Sequence, residues 1–165
     1  MSLLENITHA ICAEYVWIGA NGDLRSAKDL MGRPYQFKGK VVKGKGLGRT
    51  IGWPTANLEV DGRKFLPRLG VYAALVWINK SQVSLPAVMN LGPQPTIDPE
   101  SPSAVEVHLL NMDINLENSE LLIEPVKRLR SQKRFNGLDE LSSQIKLDAK
   151  NATTHFRMIE KKVNS

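Results

Sequence analysis

Cysteine is almost absent: Cys12 stands alone among 165 residues. No internal disulfide can form and a cysteine-rich zinc site is excluded, so a reducing, cytoplasmic compartment is expected. Long apolar runs are also missing. The longest, Val71 to Ile78, has eight residues, against the roughly 20 that cross a bilayer. The basic start of a signal peptide is lacking, because Glu5 stands where positive charge would be wanted. No internal repeat or low-complexity segment is found.

What remains is the composition of an ordinary globular domain, 42% apolar and 24% charged. A chain near this length hides about 68–70% of its unfolded surface, enough for a real core. The net charge of +5 is unevenly spread. Residues 1–32 carry two Lys/Arg against four Asp/Glu, and residues 33–68 carry nine against two. Residues 69–126 then carry one against seven, and residues 127–165 ten against four. Two basic blocks thus flank an acidic middle. Basic blocks attract anions: nucleic acid, phosphates or acidic headgroups.

The first stretch, Leu3 to Met31, reads as helical with a break at Asn21-Gly22. Asp23 is placed to cap a short helix that Gly32-Arg33-Pro34 stops. From Tyr35 to Arg130 the pattern is that of strands: 38–43, 70–79, 83–90, 105–111 and 120–130, with Pro86 suggesting an edge or a bulge. Short strands between Gly/Pro/Asn clusters, with few helices among them, predict an antiparallel sheet closing on itself. A last helix follows, with Asn136 as its expected cap and Asp139 as capping-box partner. Leu138, Leu141, Ile145, Ala149, Ala152, Phe156 and Ile159 form its apolar stripe.

Three features suggest chemistry. Between Gly44 and Gly52 four glycines alternate with Lys45 and Arg49. Such a backbone can approach a ligand closely and aim successive N–H groups at a phosphate, or it can be a basic hairpin loop. It matches neither common phosphate-loop pattern. Thr55 and Asn57 follow within Pro54-Thr55-Ala56-Asn57; they offer hard oxygens of the kind Mg²⁺ accepts, or they cap a turn. Glu106 lies in a strand otherwise made of Val, His and Leu, where it is either a general base for a hydroxyl or an outward-facing solvated acid. His108 on the same face reads as packed or surface rather than as a metal ligand, and His9 and His155 have no usable pattern.

Taken together these segments resemble the riboflavin kinase family, as it occurs in the C-terminal module of bacterial riboflavin kinase/FAD synthetases. The resemblance is carried, in order, by Gly32-Arg33-Pro34-Tyr35, by Gly44–Gly52 with Pro54–Asn57, and by Leu66-Pro67 with Gly70-Val71-Tyr72. Asn90-Leu91-Gly92 with Pro95-Thr96, Val105–Leu110, Leu129-Arg130 and Phe135 with Leu138 complete it. It implies an all-β core, a six-stranded antiparallel closed β-barrel with a C-terminal helix, here preceded by a short helical extension. Residues 1–32 would be that extension, a remnant of a linker or adenylyltransferase end, and residues 33–165 the kinase domain.

The resemblance further implies transfer of the ATP γ-phosphoryl group to the ribityl 5′-hydroxyl of riboflavin, giving FMN and ADP. Glu106 would be the catalytic base and would border the substrate. Thr55 and Asn57 would hold Mg²⁺. Gly44, Lys45, Gly46, Gly48 and Arg49, with Thr55, Asn57 and Asn90, would bind ATP, and Arg130 would bind substrate. The sequence departs from the family at Asn111, at Glu117-Asn118 and at Ser131, on what is expected to be a flavin-side loop. Ile11–Trp17 lacks the hydroxyls and arginine of an adenylyltransferase end, so FAD synthesis is not expected. Neither a nucleic-acid nor a membrane partner is expected, and the state expected is a monomer. The competing readings are a flavin- or nucleotide-binding module with weakened catalysis, and a basic barrel binding nucleic acid. The last is disfavoured because the glycine loop has no aromatic to stack on a base.

Overall fold

The computed structural model describes residues 23–44, 47–61, 64–92 and 105–164. Within them six strands close into an antiparallel barrel: β1 (Phe37–Val42), β2 (Ala56–Glu59), β3 (Gly70–Ile78), β4 (Leu85–Leu91), β5 (Val105–Leu109) and β6 (Glu120–Arg130). Their order around the wall is β1-β2-β5-β4-β3-β6. Helix α1 (Leu24–Met31) precedes the barrel, a single turn α2 (Leu47–Thr50) lies between β1 and β2, and α3 (Leu138–Val163) follows β6. None of the described helices is long and apolar enough to cross a membrane.

Period-two alternation decides which side chains fill the barrel. On β5, Val105, Val107 and Leu109 point inward and share the barrel core with Leu58, Tyr72, Met89 and Ile123 from the other strands. Full burial of each such Val or Leu contributes about 1.5–3 kcal/mol. β3 is an unbroken apolar run because both of its faces are covered. Tyr72, Ala74 and Val76 face the barrel core, while Val71 and Ala73 face α3, where Ala149, Ala152 and Phe156 pack on them. The small alanines let the helix lie close to the sheet.

α1 begins as expected: Asp23 Oδ1 accepts from the Ser26 N–H at 3.0 Å, and Gly32 closes the helix at a left-handed φ of 67°. Ala27 is buried and Leu24 and Met31 pack against the barrel core. Three expectations change. The fourfold run Ala56–Glu59 is a strand rather than part of a turn, since Ala56 and Leu58 supply the inward period. The cap of α3 is formed differently: Glu140, not Asp139, reaches back to the Asn136 N–H at 3.1 Å, and Gly137 takes the N-cap position. Finally, Pro86 lies in a closed wall and not at an edge; the register shifts instead fall between β3 and β6, one of them beside Pro125. Residues 1–22 of the expected N-terminal extension lie outside the described residues.

Candidate active site

Strand pairing assembles the centre of the site. Asn57 on β2 is the register partner of Glu106 on β5, and Glu106 is in turn the partner of Asn90 on β4. All three alternate with core residues, so they share the outer face of the wall. Across three strands about 4.8 Å apart, this row spans roughly 10 Å.

Beside it, Thr55 and Asn57 line a cavity of about 670 Å³ together with Lys43, Gly44, Arg49 and the turn from Met112 to Asn118. That is within the size range of small-molecule sites. A side chain at Gly44 would displace the Asn57 amide, because a Cβ on it would stand 1.9 Å from Asn57 Nδ2. Gly48 is more tightly constrained: its Cβ would meet the Trp53 backbone carbonyl at 2.3 Å and Thr55 Oγ1 at 3.0 Å. The single turn α2 is thus pressed onto Trp53–Thr55, and the Trp53 N–H donates to the Gly48 carbonyl at 2.8 Å. Lys45, Gly46 and the Pro95-Thr96 pair lie outside the described residues.

The turn expected on the flavin side walls the cavity that holds Thr55 and Asn57. Asn111 and Asn118 there take φ of 57° and 61°, a left-handed conformation that Asn tolerates better than most residues. Glu106 is not among the residues lining the cavity, although its partner Asn57 is.

Arg130 stands at the far end of the same register row: Asn90 pairs with Val71 on β3, and Val71 pairs with Arg130 on β6. It ends β6, three strands from β5, and its Nε and Nη2 donate to the Asp148 carboxylate of α3 at 2.7–3.1 Å. Its Nη1 donates to the Ser131 carbonyl, and the guanidinium stands 5.8 Å from the centre of the Phe135 ring. Asp148 is only 3% exposed and is satisfied by Arg130 and by Gln144. The helical stripe gives no sign of that acid, since an Asp among polar neighbours on a helix looks solvated.

Other residues are invisible to sequence reasoning because their partners are distant in the chain. His108 Nδ1 meets the Pro54 carbonyl at 2.8 Å, Trp53 packs edge-on to the His108 ring at 5.2 Å, and the Trp53 indole N–H donates to Ser142 Oγ on α3 at 3.1 Å. Gln132 Nε2 donates to both Asn90 Oδ1 and the Leu91 carbonyl. The alternation of Glu106 and His108 on one strand face is the only hint the sequence offers.

A cavity lined by Gly44, Thr55 and Asn57, with a carboxylate register-paired to Asn57, stands on a closed six-stranded barrel. The family model Flavokinase, described as riboflavin kinase, matches residues 31–156. The chain belongs to the riboflavin kinase family. Among curated relatives it is 39% identical over 144 residues to the bifunctional riboflavin kinase/FMN adenylyltransferase of Bacillus subtilis, covering 86% of this chain and 45% of the relative. The enzyme of the same description from Escherichia coli strain K12 is 39% identical over 137 residues, covering 83% and 43%. This riboflavin kinase family chain therefore spans somewhat under half the length of the curated relatives it matches. Among solved structures, one described as a macrolide-efflux protein from Streptococcus pneumoniae aligns with a TM-score of 0.77 at 28% identity, covering 86% of this chain and 45% of that one.

Proposed function

We propose that this chain, through residues 33–165, transfers the γ-phosphoryl group of ATP to the ribityl 5′-hydroxyl of riboflavin, yielding FMN and ADP. The observation that carries the reading is the row Asn57–Glu106–Asn90 beside the glycine-lined cavity. Glu106 accepts the hydroxyl proton as the new O–P bond forms and the bond to the β-phosphate breaks. Phosphoryl transfer rests on positioning and charge neutralisation more than on covalent help, and the site offers both. The backbone about Gly44 and Gly48 approaches the phosphates, and Lys43 and Arg49 supply positive charge at the cavity wall.

Thr55 and Asn57 fit a hard cation such as Mg²⁺, since a hydroxyl and an amide oxygen are hard donors and both residues line the cavity. Among the described residues no group of three or more His, Cys, Asp or Glu could hold a metal ion. A cation at Thr55 and Asn57 would accordingly draw most of its ligands from phosphate oxygens and water. Bound there, it would neutralise charge on the transferred group. Asn90 borders the nucleotide from the far side of Glu106, and Arg130 borders the flavin end while its guanidinium is braced by Asp148. With Thr55 and Asn57 taken as the phosphate side, the turn 112–118 belongs to the nucleotide pocket.

Incubation with riboflavin, ATP and Mg²⁺ tests the reading. FMN and ADP should appear in equal amounts, with no FAD; absence of FMN overturns it.

A further inference from the structure

We infer that His108 is a positioning residue that sets Thr55 at a fixed distance from Glu106, an inference that rests on the assignment of Thr55 to the phosphate side. His108 Nδ1 lies 2.8 Å from the Pro54 carbonyl oxygen. A carbonyl can only accept, so Nδ1 carries the proton whatever the charge of the ring. Pro54 has no N–H of its own, and its ring fixes φ. The Pro54 carbonyl and the Thr55 N–H belong to one planar peptide unit. Gripping that oxygen therefore orients the whole plane from which Thr55 springs.

The ring that does the gripping is itself held. Trp53 packs against it at an interplanar angle of 74°, and the indole N–H is anchored to Ser142 on α3. His108 is 9% exposed, so little water competes for its hydrogen bond. On the other side Gly48 closes on Trp53 and Thr55 with no room for a Cβ. His108 and Glu106 are two residues apart on one face of β5, about 6.8 Å along the strand. One rigid strand thus carries both the proposed base and the group that fixes the phosphate-side hydroxyl. The separation of the two is built into the barrel wall rather than left to the loop.

The test compares His108→Asn with His108→Gln. The Asn amide nitrogen falls close to the place of Nδ1, whereas the Gln nitrogen reaches one bond further; both side chains are polar and compatible with the strand. Binding of Mg-ADP is measured by calorimetry, alongside kcat and KM for each substrate. H108N should bind Mg-ADP within about 3-fold of the parent. H108Q should bind it on the order of 10-fold more weakly or worse, the usual scale for losing a supporting hydrogen bond behind a ligand, with the riboflavin KM unmoved. Equal behaviour of the two variants, or a loss confined to the riboflavin KM, overturns the inference. Thr55→Ala serves as the control: if it weakens Mg-ADP binding while H108Q does not, only the role of His108 fails. If Thr55→Ala leaves Mg-ADP binding intact, the assignment of Thr55 fails and the role of His108 falls with it.

Discussion

Asn57 and Glu106 are register partners on the outward faces of adjacent antiparallel strands. Opposed residues of this kind hold their Cβ atoms about 4.5–5.5 Å apart. The chain distance between them is 49 residues, yet the barrel leaves them no freedom to separate. The basic block 33–68 supplies the cavity wall with Lys43, Gly44 and Arg49, and the acidic block 69–126 supplies Glu106 and the turn 112–118. A charge asymmetry spread along the sequence becomes a local one around a single site.

Gly44→Ala should weaken nucleotide handling without unfolding the barrel. The new Cβ would displace the Asn57 amide, the end of a half-buried side chain that can swing aside, so the cost falls on the placing of Asn57 and not on the barrel core. The KM for Mg-ATP should rise on the order of 10-fold, while the urea midpoint of unfolding moves little. Steady-state kinetics with Mg-ATP varied checks this; an unchanged KM would show that Asn57 is not at the nucleotide.

Asp148→Ala should lower stability by about 2–4 kcal/mol. Breaking a buried ion pair costs roughly 3–5 kcal/mol, and the value is reduced here because the Arg130 side chain is 22% exposed and gains some water. Replacing both partners, Arg130→Met with Asp148→Leu, should recover much of the loss. Urea unfolding of the single and double variants measures it, and a fully additive double variant would contradict the pairing.

His155 should make stability fall in mild acid. Burial, and secondarily the nearby Lys127 charge, hold its pKa below the usual 6.5. The folded state then binds fewer protons than the unfolded one as pH drops below about 6.5. Stability from this group is intact above that pH, declines toward the lowered folded value, and is constant below it. His155→Gln should remove this contribution, so the gap between variant and parent should shift in the variant's favour from pH 7.5 to pH 5.5. Urea midpoints at the two pH values decide; a gap that does not change with pH would refute the role.

Much of the barrel is legible in the chain because its strands are regular. β6 runs over the expected 120–130, and β5 shows its alternation plainly. β2 is hidden because it is only four residues long and follows Pro54-Thr55, a turn signal. The stripe on α3 is correct at Ala149, Ala152 and Phe156, while Leu138 and Ile159 are exposed at the two ends, where the helix runs past the sheet. Thr55, Asn57 and Glu106 stand out in sequence as oxygen-bearing side chains among apolar or glycine-rich neighbours. The grip of His108 on Pro54 and of Arg130 on Asp148 cannot be read that way. Both join elements that only the closed wall and the returning helix bring together, and no local pattern records them.

The central claim is that Glu106 removes the proton from the hydroxyl that attacks ATP. Its most direct test is turnover by the parent chain and by Glu106→Gln, side by side, with riboflavin and Mg-ATP saturating and FMN resolved from riboflavin by chromatography. The parent should form FMN with one ADP for each, and the variant should be slower by about 10²–10⁴-fold, the usual contribution of a general base, while still binding riboflavin. FMN formation by the variant near the parental rate would contradict the account.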